Sequence, residues 1–288
     1  MRKKRNIKLR KQLHDILREK YKLGRGVAKH EIKDNHNATR FIHSSRTYET
    51  YRQQIGHFAD WCKVKGIKDI PTAEKAVNEY MEKLSADGKS ASSQSTALCA
   101  LAKVFDKRTT DFGYKLPERR RSEIKRSRYA VARDKHFNPN SIENQALIKF
   151  CVSTGLRRDE LKHLNGSDLR FKDGRAYLYV HDGTKGGKSR NIEILGNIKF
   201  VTNMCKRADN GRVFPKVHSC ADIHSYRATY ARNLYLKYAR TEIPREDRYI
   251  CRGDYKGKVF DKRAMAIVSQ NLGHNRIGVI ASNYLYGL

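Results

Sequence analysis

The stretch Thr154-Gly155-Leu156-Arg157-Arg158-Asp159-Glu160-Leu161 sets two arginines directly after a Gly-Leu break, where a backbone can approach a ligand closely. A lysine-rich Gly turn follows at Thr184-Lys185-Gly186-Gly187-Lys188, then His224-Ser225-Tyr226-Arg227, then Leu272-Gly273-His274, then Tyr284 and Tyr286. Breaking a phosphodiester builds negative charge on its nonbridging oxygens. Planar guanidinium forks satisfy two such oxygens at once and stay charged at any working pH. Arg157 and Arg227 have that chemistry, and Arg227 lies one helical turn beyond His224, so both are expected on one helix face. A tyrosine hydroxyl ionises near pH 10, so a tyrosine nucleophile needs cations beside it. A departing 5′ oxygen needs a proton, and a lysine on a hairpin tip can reach into a groove to supply it; Lys185 and Lys188 both qualify. One arginine or tyrosine of this kind is ordinary. The ordered set is able to attack and stabilise a phosphodiester without metal.

Composition points to the same partner. The 288 residues carry 61 Lys and Arg against 30 Asp and Glu, a formal net charge of +31. Solubility is served by a net charge of about 2–8 on a small domain, so an excess of this size calls for a polyanion, of which nucleic acid is the commonest. No apolar run approaches the ~20 residues of a membrane span, and the basic N-terminal stretch lacks the apolar core of a signal peptide. A membrane partner is therefore not expected. The cysteines Cys62, Cys99, Cys151, Cys205, Cys220 and Cys251 are scattered, without CxxC or zinc-finger spacing. They read as reduced thiols of a cytoplasmic protein, and neither a metal nor a cofactor is expected.

The elements that must position these residues can be read from periodicity. The length suggests two domains. Residues 1–38 form a basic arm, with seven Lys or Arg among the first eleven residues and a weak helical pattern through Leu9, Leu13, Ile16 and Leu17. Residues 39–106 read as a helical domain. Tyr48, Tyr51, Ile55, Phe58, Ala59 and Cys62 recur at helical spacing. Thr72 is placed to cap a second helix whose apolar face is Val77, Tyr80, Met81 and Leu84. A third helix runs from Ser92 to Phe105. Residues 107–135 are a basic linker containing Arg119, Arg120 and Arg121, expected to lie against phosphates. The second domain, 136–288, opens with a helix capped by Ser141. Ala176–Val180 and Asn191–Ile194 alternate as two strands of a hairpin with lysines at its tip. The expected class is mainly α with a small antiparallel β-sheet (α+β).

The four motifs, in this order, resemble the tyrosine recombinase/phage integrase family. TGLRRDEL is similar to its first arginine box, GTKGGKSRNIEI to its lysine hairpin, HSYR to its His-x-x-Arg box, and LGHNRIGVIASNYLY to its Leu-Gly-His box and tyrosine segment. The resemblance implies a helical core-binding domain followed by a catalytic domain. It implies that Arg157 and Arg227 clamp the scissile phosphate, Lys185 is the general acid, His224 assists proton transfer and His274 hydrogen-bonds the phosphate. Glu160 orients the pocket, and Tyr284 attacks to form a 3′-phosphotyrosyl link. Lys188, Arg119, Arg120 and Arg121 would contact DNA. The interval from His274 to Tyr284 is one residue longer than the family's usual spacing, so Asn283 stands where the tyrosine would fall without an insertion. Arg240 to Lys262 is a further polar segment beyond what compact members have, expected as a surface excursion or a DNA contact.

The implied activity is site-specific recombination of double-stranded DNA, integrating or excising a mobile element. It would proceed as a homotetramer on DNA, with room for an accessory or directionality factor, in the bacterial cytoplasm at the nucleoid. Other readings are a catalytically silent DNA-binding regulator on the same scaffold and a type IB-like topoisomerase. A metal-dependent nuclease would need clustered carboxylates, which the sequence does not offer.

Overall fold

The computed structural model describes residues 8–28, 31–32, 34, 39–120, 137–184, 188–274 and 276–288. The chain divides into two compact units, Met1–Arg119 and Arg120–Leu288.

The first unit is all helical: α1 (Leu9–Gly24), α2 (Ser45–Val64), α3 (Ile70–Lys75), α4 (Val77–Ala86) and α5 (Ala91–Val104). Short polar side chains start three of them, as the unpaired first-turn N–H groups require. Ser44 accepts from the Thr47 amide at 3.2 Å and Ser90 from the Ser93 amide at 3.2 Å. The helix expected to be capped by Thr72 is instead capped by Asp69, which takes both the amide and the hydroxyl of Thr72 at 2.9 Å. A carboxylate is the stronger acceptor at the positive end of a helix. The predicted apolar face of Val77, Tyr80, Met81 and Leu84 is buried. Phe58 sits at the centre with Tyr80 and Phe105 edge-on at 5.0 and 6.2 Å.

Two segments flanking residues 39–106 also pack on this unit. The leucines of the basic arm are core residues: Leu9, Leu13 and Leu17 are buried against the same cluster as α2 and α5. Fully burying such a side chain contributes about 1.5–3 kcal/mol, which outweighs the charge of the helix's other face. The start of the basic linker is also folded onto this unit. Phe112, Tyr114 and Leu116 pack on its core, and the Tyr114 hydroxyl donates to Gln94 Oε1 at 3.2 Å.

The second unit surrounds the candidate residues with α6 (Ile142–Thr154), α7 (Arg158–His163), α8 (Ile198–Ala208), α9 (Ile223–Tyr238), α10 (Lys262–Asn271) and α11 (Ile277–Ile280). Strands β1 (Leu169–Lys172), β2 (Arg175–Val180) and β3 (Arg190–Glu193) form an antiparallel sheet in the order β1-β2-β3. The hairpin strands predicted from alternation are β2 and β3, and Ser141 caps α6 through the Asn144 amide. Strand β1 was not anticipated. Its signal is the Asp173-Gly174 turn, both residues at positive φ (50° and 69°), the two-residue turn that matches strand twist.

The segment from Arg240 to Lys262 is a folded surface excursion. Strands β4 (Arg248–Ile250) and β5 (Val259–Asp261) pair within it. Arg240 closes it by bonding Asp261 at 2.7 Å and Asp247 at 2.7 Å. The Arg240 hydrogen bond holds the buried Asp261 carboxyl well below the usual carboxylate range, against the opposing effect of burial. The chain ends its last helix in π geometry over Ala281–Leu285.

Candidate active site

The site is built around two helix ends in the second unit. Helix α6 closes on Gly155, at φ 62°. A Cβ there would collide with the Tyr230 ring of α9, so only glycine permits both the left-handed turn and the close approach. The Gly155 carbonyl then faces α9 and accepts from Arg227 Nη1. Helix α10 closes on the Asn271-Leu272-Gly273-His274 turn. The last carbonyls of a helix have no partner within it and carry its negative partial charge. Here arginines take them. The Leu272 carbonyl accepts from Arg157 Nη2 at 3.0 Å and from Arg227 Nη2, and the Asn271 carbonyl accepts from Arg190 Nε at 2.8 Å.

One carboxylate joins the three arginines. Glu160, in the first turn of α7, accepts from the Arg157 amide (2.7 Å) and from Arg157 Nη1 (2.8 Å). Its Oε2 also takes Arg190 Nη2 at 2.9 Å and lies 4.0 Å from Arg227 Nη1. Burial works to raise its pKa, but the hydrogen bond and charge of Arg190, with Arg157 and Arg227, bring it below the usual range. Glu160 is therefore ionised at neutral pH. Three guanidiniums against one carboxylate leave the pocket strongly positive.

Tyr284 meets this pocket. Its hydroxyl lies 3.3 Å from Arg227 Nε and 3.1 Å from His274 Nε2. His274 Nε2 is also 3.5 Å from Arg157 Nη2. Guanidinium nitrogens only donate, so a neutral ring accepting through Nε2 fits both His274 contacts. The hydroxyl thus accepts from Arg227 and donates to His274. Arg227 is fully buried, and burial, helped by the charge of Arg157, lowers its pKa to about 10, which leaves it charged at pH 7. Arg157 keeps 18% of its side-chain surface exposed.

Arg157, Glu160, Arg227, His274 and Tyr284, singled out from the sequence, thus lie together. His224 is in the first turn of α9, three residues before Arg227, and is exposed while Arg227 is not. Lys188, Arg119 and Arg120 are exposed, whereas Lys185 and Arg121 lie outside the described residues. Sequence reasoning missed Arg190, Asn271 and Tyr230. Asn271 Oδ1 accepts from the Glu193 amide at 2.8 Å and the Tyr230 hydroxyl at 3.2 Å, so it staples β3 to α9 and α10. No local signal marked Arg190, the first residue of β3.

The π turn explains which tyrosine reaches the pocket. A π turn holds one more residue than an α turn. Placed at Ala281–Leu285, it fits the longer His274–Tyr284 interval that the resemblance implies, and Tyr284 faces Arg227 while the Asn283 side-chain nitrogen donates to the Val279 carbonyl at 3.2 Å.

Residues 34–111 match the family described as phage integrase, N-terminal SAM-like domain, and residues 122–237 match the phage integrase family. No curated protein sequence matches the chain. Among solved structures, the chain resembles the XerH site-specific recombinase bound to a palindromic difH substrate, with a TM-score of 0.53 at 16% identity, covering 96% of this chain and 91% of that one. It also resembles the Tn1549 transposon integrase (residues 82–397) in complex with circular-intermediate DNA, with a TM-score of 0.51 at 11% identity, covering 94% of each. With both family domains in order and the charged pocket assembled around Tyr284, this chain belongs to the phage integrase family of tyrosine recombinases.

Proposed function

We propose that the protein is a site-specific DNA recombinase that cuts and rejoins duplex DNA through a 3′-phosphotyrosyl link to Tyr284, for integration or excision of a mobile element. The observation that carries this reading is the convergence of Arg227 Nε and His274 Nε2 on the Tyr284 hydroxyl, 3.3 and 3.1 Å away.

The chemistry follows from the contacts. A backbone phosphate meets Arg157 first, because Arg227 lies behind Tyr284. As the Tyr284 oxygen attacks phosphorus, its proton passes to His274 Nε2, and the two guanidiniums stabilise the charge growing on the phosphate oxygens. The bond to the 5′ oxygen breaks, and that oxygen takes a proton. The family motif assigns the donor to Lys185, with Lys188 as the other lysine of the turn and His224 assisting. A 5′ hydroxyl from a partner strand reverses the step. The ester energy is kept in the tyrosyl link, so the reaction draws on neither ATP nor a metal. A homotetramer on two duplexes is the assembly that exchanges strands in this way, and an accessory protein is compatible with choosing the direction.

The test is covalent capture. Wild type and Tyr284→Phe are incubated in EDTA with nicked duplexes from the DNA flanking the native gene, then denatured in SDS. A protein–DNA adduct in wild type that is absent in Tyr284→Phe is expected. Sequence-specific binding with no adduct in either would mean a silent DNA-binding protein. Relaxation of supercoils without exchange between duplexes would mean a topoisomerase.

A further inference from the structure

We infer that Arg190 is a positioning residue for the phosphodiester chemistry: it ties β3 and the end of α10 to the Glu160 carboxylate, and so sets the angle at which Arg157 meets a phosphate. This rests on the reading of the site given above.

Arg190 bonds in two directions. Its Nε donates to the Asn271 carbonyl at 2.8 Å and its Nη2 to Glu160 Oε2 at 2.9 Å. Its side chain is 9% exposed, half the exposure of Arg157, and it packs against Gly273, where a Cβ would stand 3.1 Å from Nη1. It is therefore set behind the surface that a phosphate would meet. Glu160 is the common anchor. It also holds the amide and Nη1 of Arg157, so any turn of the carboxylate turns Arg157 with it. The same strand is fixed a second time, because the Glu193 amide donates to Asn271 Oδ1 at 2.8 Å. Strand β3 is the outgoing strand of the hairpin that carries the lysine motif. Arg190 thus connects three motifs that lie far apart in sequence: the first arginine box, the lysine hairpin and the Leu-Gly-His turn.

Removing the Arg190 guanidinium leaves Glu160 Oε2 with the Arg157 amide as its remaining close donor. The carboxylate, with no exposed side-chain surface, then has to turn toward other donors. Misplacing a reacting group by about 1 Å costs on the order of 100-fold in rate. A lysine restores the charge but offers a single point where two acceptors must be bridged. The groups facing Glu160 are Arg157 at the start of α7, Arg190 on β3 and Arg227 on α9, with His274 and Tyr284 one contact further. Arg190 contributes the largest of the effects that lower the Glu160 pKa. Its loss raises that pKa, so acid inactivation begins at a higher pH.

The experiment measures single-turnover adduct formation on a nicked duplex, at saturating protein and across pH 4.5–8, for wild type, Arg190→Ala, Arg190→Lys and Glu160→Gln, with duplex affinity measured in parallel. Arg190→Ala is expected to bind duplex within about threefold of wild type, to form adduct about 100-fold more slowly, and to lose activity at higher pH as the solution is acidified. Arg190→Lys recovers part of the rate. A rate within about threefold of wild type, a loss confined to affinity, or an unshifted acid limb overturns the inference. If wild type itself forms no adduct, the functional reading fails, and unfolding without DNA decides the pairing. Arg190→Ala should then cost less in a Glu160→Gln background than in wild type, the loss of the Asn271 bond remaining in both, and strictly additive losses overturn it.

Discussion

Arg227 Nε and the Tyr284 hydroxyl lie 3.3 Å apart, across 57 residues of sequence. Arg227 spends its remaining nitrogens on the carbonyls of Gly155 and Leu272, so this one buried side chain joins the end of α6, the end of α10 and the tyrosine. Arg227→Ala strands the Gly155 carbonyl, leaves the Leu272 carbonyl with Arg157 alone, and removes a charge balanced against Glu160. Leaving such a network incomplete costs about 3–5 kcal/mol. Thermal unfolding should show the second unit strongly destabilised. Arg227→Lys should fold better yet form adduct no faster than about 1% of the wild-type rate, given the scale of misplacement costs; a lysine variant with near-normal adduct would contradict the three-way role.

Gly155 is held at φ 62° with the Tyr230 ring where a side chain would begin. Gly155→Ala should lower stability by about 2 kcal/mol or more, combining strain at a left-handed position with overpacking. Urea unfolding measures this, and adduct formation should fall with it, because the Gly155 carbonyl seats Arg227.

Asp261 gives the excursion between α9 and α10 its pH dependence. Its folded pKa is depressed below the ordinary 3.8, first by the Arg240 hydrogen bond. Its contribution is thus fully present above pH 3.8 and is lost as pH falls through the folded value. Asp261→Asn should remove this acid sensitivity and raise hydrogen exchange across residues 240–261 at neutral pH. Unchanged exchange there would show that the Arg240 contacts do not hold the segment.

The π turn predicts an asymmetry between deletion and insertion. Deleting exposed Ser282 should let Ala281–Leu285 relax to an α turn, with Tyr284 still presented and adduct retained. Inserting an alanine after Ser282 gives the helix a second surplus residue and should abolish it. Equal loss from both changes would refute the account.

Salt should act steeply on DNA binding. With a formal charge of +31, binding is dominated by phosphate neutralisation. Raising salt from 50 to 200 mM should weaken it about 10³-fold or more if at least six phosphates are contacted. Filter binding or anisotropy across that range reads the slope.

What could be read from the residues was what local periodicity and motif order encode. The apolar spacing of Leu98, Leu101 and Val104, or of Val77, Tyr80 and Met81, follows from helix geometry alone, and those faces are buried. The five clustered site residues came from motif order. Arg190 was not legible as a site residue because its role depends on strand register and on the end of a helix 81 residues away. Asn271 was opaque for the same reason. The leucines of α1 were masked by the basic residues around them, and Asp69 lost to Thr72 as a cap because both are good capping residues and only the geometry of Pro71 separates them. The extra residue before Tyr284 was visible, but the π turn that accommodates it was not.

The carbonyls at the end of α10 have a consequence for the order in which a hazardous chemistry becomes available. Arg157, Glu160, Arg190 and Arg227 leave the ribosome before Leu272, His274 and Tyr284, and until those arrive the guanidiniums have neither their backbone acceptors nor a nucleophile. On the chemistry proposed above, a chain still lacking its last helices would hold DNA without the means to cut it, so that completing the fold of the second unit and completing the site are one event.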